Sequence, residues 1–193
     1  MEQVGYLIDP RAGFSRSHVI KALLLLEQRD VSRSVLMREL ALNEASARTL
    51  LRGLEKNALV RPFMKGHRLT PKGQKLVDRL SGHMAGPFVL AGGGLGISRY
   101  NVCYLLRRKS EKIRKGLEQR DSAIRFGADG LLTLVMRDKL VLPGMERWGV
   151  PREIQQTFAS RALRGDVVLI ASAKNRITAD LAALNAVLEL LKR

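Results

Sequence analysis

One segment, from Asn43 to Lys56, concentrates side chains that can contact a nucleic acid. Its apolar residues recur at helical spacing and predict one buried stripe. They are Ala47, Leu50, Leu51 and Leu54. The polar residues of the opposite face are Glu44, Ser46, Arg48, Thr49, Arg52 and Lys56. Arginine can pair bidentately with guanine or grip phosphate, serine and threonine can donate to base edges, and glutamate can accept from a cytosine amino group.

Arg48 and Arg52 lie four residues apart, so they share one side of the predicted helix. If this helix enters a major groove, its N-terminal part meets the base edges. The alternative is a solvated polar face on a helix that contacts other proteins. We favour DNA because the charge of the whole chain agrees with it.

A basic hairpin follows the helix, with its turn at Lys65-Gly66. Lys65, His67 and Arg68 lie at or beside the turn, and they are predicted to contact phosphates or the adjacent minor groove. Lys72, just after the hairpin, is a further phosphate candidate. The alternative is a basic loop without a partner.

The elements that would position these residues have clear start signals. Serine, asparagine and threonine are preferred N-caps because their side chains accept hydrogen bonds from free backbone N–H groups. Ser15 or Ser17 can begin a first helix, Ser32 a second and Asn43 a third. Thr70 followed by proline predicts a fourth helix after the hairpin.

Two stretches resemble the winged helix-turn-helix family. Residues 43–60, NEASARTLLRGLEKNALV, are similar to its recognition helix and first wing strand, and residues 69–73, LTPKG, to its wing-to-helix exit. The resemblance covers about a third of the chain and implies a DNA-binding domain over residues 1–82. Asn57 stands where the family often has glycine, and asparagine also tolerates the left-handed conformation.

The charge of the chain points to a polyanionic partner. Its 34 basic and 18 acidic residues give a net charge of +16 and a pI near 10.9. Residues 1–81 carry +7 and residues 82–193 carry +9, so the excess is shared by both halves. Nucleic acid is the commonest partner of such a chain, and double-stranded DNA is the one we expect. The alternative is a solvated basic surface or the ionic surface of a thermophile.

Several classes of protein are not indicated. The chain has one cysteine, Cys103, so no disulfide framework forms within it. No apolar run is long enough for a membrane span, and residues 1–14 lack the core of a secretion signal. We expect a cytoplasmic protein with no membrane partner. No zinc spacing or nucleophile elbow is present, so we predict no metal, no cofactor and no catalytic residue, with Cys103 in the core.

Residues 86–193 predict a second domain, which makes the fold class α+β or mixed α/β: a winged helix-turn-helix followed by a mixed α/β sheet domain. The strand at 166–172 is almost wholly apolar, which predicts burial on both faces. The other predicted strands span 87–91, 98–106, 131–136 and 140–143. The predicted helices span 118–126, 151–163 and 177–191.

Two parts of this domain can bind a small anionic or phosphorylated ligand. Gly93 and Gly94 lie in a glycine run that can cradle phosphate, although a flexible turn between strands is the stronger interpretation. Gln119, Arg120 and Asp121 can line a pocket, with Arg120 on an anion, or else form an internal Arg–Asp pair.

Two further features of this half remain open. The basic run 107–115 can extend a DNA footprint, bind an anionic ligand or form a solvated turn. The leucines of the last helix repeat at intervals of four and three residues. They can form a dimer seam or, as we favour for only two heptads, pack on the sheet.

The second half resembles a group of archaeal winged-helix proteins whose C-terminal half has no assigned function. The residues that carry the resemblance are 116–124 (GLEQRDSAI), Gly127-Ala128, Gly130 and 165–170 (GDVVLI). It implies an archaeal regulator and supplies neither ligand nor reaction.

We therefore expect sequence-specific binding of double-stranded DNA by a transcription regulator. Its C-terminal domain would sense a small-molecule effector or form a homodimer, since a symmetric pair doubles the base contacts. The alternative is an enzyme with an appended regulatory DNA-binding domain. A module for RNA binding or protein assembly is less favoured, because aromatic residues make up only 5% of the chain.

Overall fold

A computed structural model describes residues 13–64, 66–90 and 97–192. The chain divides into two compact units, Met1–Gly82 and His83–Arg193. The fold class is α+β, as predicted, with one small and one larger antiparallel sheet. Among the helices of these residues, none combines the length and the apolar character that a membrane crossing needs.

The first unit contains four helices and one hairpin. They are α1 (Arg16–Gln28), α2 (Arg33–Leu40), α3 (Glu44–Lys56), β1 (Val60–Phe63), β2 (Gly66–Leu69) and α4 (Pro71–Ser81). The predicted caps are confirmed at Ser32, Asn43 and Thr70, whose side chains accept hydrogen bonds from backbone N–H groups in the first turn of α2, α3 and α4. Of the two candidates for α1, the cap is Ser15, whereas Ser17 is buried.

The hairpin is held against the helices by backbone contacts. Val31 and His67 exchange two backbone hydrogen bonds, of 3.0 and 2.9 Å, which add a short third strand to the pair β1–β2. A Cβ on Gly66 would approach the Val31 backbone to 2.9 Å, and one on Gly73 would overlap the carbonyl oxygen of Leu59. The left-handed residue after α3 is Ala58 (φ 54°), whereas Asn57 has φ −89°.

The N-terminus of α1 contains a histidine whose titration we expect to affect stability. Nδ1 of His18 accepts a hydrogen bond from the backbone N–H of Ser15 (3.1 Å), and burial lowers the pKa of His18 to about 4. The unfolded chain takes up this proton near pH 6.5 and the folded chain only near pH 4. The stabilisation is therefore complete above pH 6.5 and is lost as the pH falls towards 4. After allowance for solvent screening we expect a loss of about 1–2 kcal/mol.

The measurement is thermal unfolding followed by circular dichroism at pH 7 and pH 5. The control is His18→Gln, since glutamine at this position keeps the acceptor of a capping box but does not titrate. The expected result is a smaller pH dependence in the variant than in the wild type. Equal dependence in both proteins would contradict the assignment to His18.

The second unit is a five-stranded sheet with helices on both faces. Its strands are β3 (Met84–Leu90), β4 (Tyr100–Leu106), β5 (Gly130–Met136), β6 (Leu140–Val141) and β7 (Val167–Ala173). Its helices are α5 (Leu117–Arg125), α6 (Arg152–Ala159) and α7 (Arg176–Lys192), with a short 3₁₀ turn at Ser110–Lys112. The strand order is β3-β4-β7-β5-β6, and every pair described is antiparallel. All predicted strands and helices are present, but several ends differ; α6, for example, stops at Ala159.

The central strand β7 is buried along its whole length, as predicted. Residues alternate between the faces of a strand. Tyr104 points to α7, where its hydroxyl donates to Oδ1 of Asp180 (2.6 Å). Its neighbours Cys103 and Leu105 point to the opposite face and pack in the cluster that contains Phe158 of α6.

Two sequence-based interpretations are settled by this packing. Of the residues that repeat along α7, Leu181, Leu184 and Leu188 are buried within the unit and Leu191 is partly exposed, and the helix contacts β4 and β7, so the interpretation of sheet packing is confirmed. Cys103 lies in the core as predicted, and burial raises the pKa of its thiol to about 12, which keeps it protonated.

Candidate nucleic-acid interface

Helix α3 has one buried and one exposed face. The predicted stripe of Ala47, Leu50, Leu51 and Leu54 is buried. The exposed side chains on the opposite face are Glu44, Arg48, Thr49, Arg52 and Lys56. Asn43 begins the helix, because Oδ1 of its side chain accepts a hydrogen bond from the backbone N–H of Ser46 (2.8 Å).

The assignment of Ser46 to the exposed face is wrong. Only 9% of the residue is exposed. It lies four residues before Leu50, which places it above the buried stripe. The segment at Gly13 covers its hydroxyl, since a Cβ on Gly13 would lie 2.9 Å from the Ser46 oxygen.

Glu44 joins two arginines at the start of α3. Its Oε1 lies 2.8 Å from Nη2 of Arg48 and 3.3 Å from Nη2 of Arg33, the first residue of α2. The carboxylate therefore orients both guanidinium groups on the exposed side of the unit. Arg33 was missed in the sequence because spacing within one helix does not reveal a contact between two helices.

Four other polar residues of this region differ in their contacts. The hydroxyl of Thr49 donates to the carbonyl oxygen of Ala45 (2.9 Å). Nζ of Lys72 donates to the carbonyl oxygen of Asn57 (3.0 Å), so this side chain stabilises the C-terminal end of α3. Arg52 and Lys56 form no ion pair with any residue that the structure describes.

Arg68 binds an acidic residue outside the hairpin. Its guanidinium group binds both carboxylate oxygens of Asp30 (2.8 and 2.9 Å) and lies 3.6 Å from the ring centroid of Phe63. The hydrogen bond from Arg68 holds the pKa of the Asp30 carboxyl below its ordinary value. Arg68 therefore fixes the hairpin to the loop before α2, and its predicted contact with DNA stays a prediction.

His67 is also turned towards the helices. Its side chain is 18% exposed, and Nε2 lies 2.9 Å from Oε1 of Glu55 on the inner part of α3. His67 lies beside the turn as predicted, and the pairing of β2 with Val31 turns its side chain inward. The exposed residues of the hairpin include Arg61, which the sequence analysis missed, and Met64, 91% exposed. Lys65 lies outside the described residues.

The ligand candidates of the second unit do not form a site among the residues described. Gly93 and Gly94 lie outside them. Gln119 is buried, whereas Arg120 and Asp121 are exposed on α5 and form no ion pair with each other. The predicted internal Arg–Asp pair is therefore wrong. None of the described His, Cys, Asp and Glu side chains gathers in a group of three that suits a metal ion.

One solved structure and one family of domains are similar to this chain, and neither is named for an activity. No curated protein sequence matches the chain. A solved structure titled "Hypothetical protein PH0730 from Pyrococcus horikoshii OT3" is similar over 93% of this chain and 94% of that one, with a TM-score of 0.78 and 27% identity. Residues 97–190, in the second unit, match the family described as "Domain of unknown function (DUF4443)".

Proposed function

We propose that residues 1–82 form a winged helix-turn-helix that binds double-stranded DNA at specific sites, and that the protein is a transcription regulator. In this proposal α3 is the recognition helix and the hairpin β1–β2 is the wing. The observation that carries the proposal is the exposed face of α3, where Arg48, Thr49, Arg52 and Lys56 stand opposite a wholly buried apolar stripe.

The dimensions of this face suit a major groove. Arg48 to Lys56 spans nine residues, and the eight steps between them cover about 12 Å along the helix axis. The groove is wide enough to admit a helix, and its base edges offer guanine acceptors to an arginine fork. Arg48 and Arg52 lie in the second and third turns and would contact bases. Lys56, in the last turn, would contact phosphate.

The hairpin would act as a positioned wing. The Asp30–Arg68 pair and the Val31–His67 bridge hold it to the helices, so little order has to be gained on binding. Arg61 is exposed on β1, and we assign it to phosphate contact by the wing.

The second unit would then provide effector sensing or dimerisation. One winged helix reads few bases, whereas two related by a twofold axis read a palindrome. This part of the proposal predicts that selected sites contain two half-sites.

The proposal is tested by selection from a random duplex library with the full chain, followed by competition with unselected duplex. We expect enrichment of one motif, and binding to it that survives excess random DNA. Enrichment of no motif would overturn site-specific binding, because charge alone gives affinity without discrimination.

Glu44 provides a second test of the same face. We expect Glu44→Gln to raise the affinity for random duplex about two- to fivefold, because it removes a negative charge that is paired with Arg33 and Arg48. It should also lower the preference for the selected motif, since the two arginines lose their common anchor. Anisotropy titrations with both duplexes measure the two effects. Glu27→Gln, an exposed acid on α1, is the control; an equal gain in both variants would show that net charge alone is responsible.

A further inference from the structure

Three basic segments of the second unit meet at one end of its sheet. We call this region the basic end and define it as residues 107–115, 137–139 and 161–166. Leu106 at the end of β4 pairs with Val167 at the start of β7. The backbone N–H of Ser110 donates to the Gly165 carbonyl (3.0 Å), and that of Gly165 donates to the Met136 carbonyl (2.9 Å). Segments far apart in sequence are thus adjacent.

The basic end holds most of the net charge of this half of the chain. Its three segments contain ten lysines and arginines and three acidic residues, a net charge of +7. Residues 82–193 as a whole carry +9. The rest of this half is therefore nearly balanced, and its charge is localised rather than spread over a solvated surface.

Few of these cations are neutralised. The buried carboxylate of Asp166 binds Arg107 (2.7 Å). Glu146 lies 3.5 Å from Arg137, and Asp138 lies 3.6 Å from Arg164 with both side chains more than 80% exposed. The other cations have no carboxylate partner within the described part of the chain. They are Arg108, Lys109, Lys112, Arg114, Lys115, Lys139 and Arg161.

Two of the unpaired lysines lie against each other. Partial burial, followed by the nearby ammonium group of Lys112, lowers the pKa of Lys109. A neighbouring like charge disfavours the charged form of a lysine, and a bound anion would offset that repulsion. This arrangement is expected of a surface that receives phosphate groups.

The composition of the basic end favours a duplex backbone over other anions. The three segments contain no aromatic residue on which an unpaired base could stack. The cleft at this end, about 380 Å³, is lined by Arg114, Arg137 and Arg164 but also by Glu111 and Glu146, so its charged lining has a net charge of only +1 and does not favour a small anion strongly. We infer that the basic end is a second DNA-binding surface that contacts the phosphate backbone of duplex DNA without reading its sequence. This inference rests on the proposed function only in naming DNA as the nucleic acid.

The test compares two triple variants of the full chain with equal changes in net charge. One is Lys109→Gln, Lys112→Gln, Arg114→Gln in the basic end. The other is Arg120→Gln, Arg125→Gln, Lys174→Gln, three exposed cations elsewhere in the second unit. Affinity for a labelled duplex of mixed sequence is measured by anisotropy across a salt series. The slope of log K against log salt is negative, and each lost phosphate contact reduces its magnitude by about 0.9. We therefore expect the magnitude to fall by about 2–3 in the first variant and to change little in the second.

A third variant, Lys109→Arg, Lys112→Arg, Arg114→Lys, keeps the charge and should keep the slope. Circular dichroism establishes that all three variants fold. Equal falls in the two neutralised variants, or no fall in either, would overturn the inference. Stronger competition by duplex RNA than by duplex DNA would also overturn it.

The two proposals fail in different ways. If Arg48→Ala and Arg52→Ala remove motif preference while the basic-end variant binds like the wild type, the inference fails and the proposed function stands. If the basic-end variant shows a weaker salt dependence of binding while the α3 variants keep their motif preference, the inference stands and the proposed role of α3 fails.

Discussion

Replacing Arg48 and Arg52 together with alanine is expected to remove preferential binding to the selected DNA motif. An arginine that pairs bidentately with guanine contributes about 1–3 kcal/mol of discrimination. The pair should therefore lower the affinity for the selected duplex about thirtyfold or more. Affinity for random duplex should fall much less, because phosphate contacts elsewhere remain. Competition anisotropy with both duplexes measures the two effects in one experiment.

A matched control separates readout from net charge. Arg38→Ala with Arg79→Ala removes two exposed cations from α2 and α4 and leaves the exposed face of α3 intact. Since all four arginines are exposed, neither double variant should change the free energy of unfolding appreciably. If the two double variants lose selected and random binding in equal proportion, α3 is not the recognition helix, and the proposed function of the unit would have to be abandoned.

The predictions that held depend on local sequence. The stripe of α3 follows from helical periodicity, and the caps at Ser32, Asn43 and Thr70 act on N–H groups within the first turn of the helix they begin. The burial of β7 follows from its apolar run. Such interactions join residues only a few positions apart, so the sequence contains all the information that they need.

The contacts that the sequence did not reveal join distant residues. Arg68 and Asp30 are separated by 38 positions, and His67 and Glu55 by 12. From sequence the two basic residues were assigned only to the wing, because nothing local shows that the hairpin folds back on the Val31 segment. The glycine at position 66, which permits that close approach, was the one available signal.

The same limit explains why the basic end could not be predicted as a surface. The run 107–115 was noted, but its neighbours 137–139 and 161–166 each contain only two cations. They come together because β4, β7 and β5 are adjacent and antiparallel. The end of β4, the start of β7 and the end of β5 therefore lie at the same end of the sheet. Short apolar strands do not disclose their order in a sheet.

Asp166 joins two of these segments, 107–115 and 161–166, and its replacement should have the largest effect on stability. Its fully buried carboxylate accepts hydrogen bonds from Nη1 of Arg107 (2.7 Å) and from the backbone N–H groups of Arg108 and Leu163 (3.0 Å each). Asp166→Ala leaves these three donors without their acceptor in a poorly solvated site. We expect a loss of about 3–5 kcal/mol in the free energy of unfolding, a large part of the stability of an ordinary domain.

The chain offers both a probe and a control for this prediction. Trp148, the one tryptophan in the sequence, lies in the second unit, so its fluorescence during urea unfolding reports on that unit. Asp138→Ala removes an acid of the same basic end that is 94% exposed and only loosely paired with Arg164, and it should leave the midpoint almost unchanged. Asp166→Asn keeps one acceptor oxygen and should fall between the two. Similar urea midpoints for Asp166→Ala and Asp138→Ala would mean that the strands alone hold the segments of the basic end together. A much lower midpoint for Asp166→Ala would assign that role to its buried carboxylate.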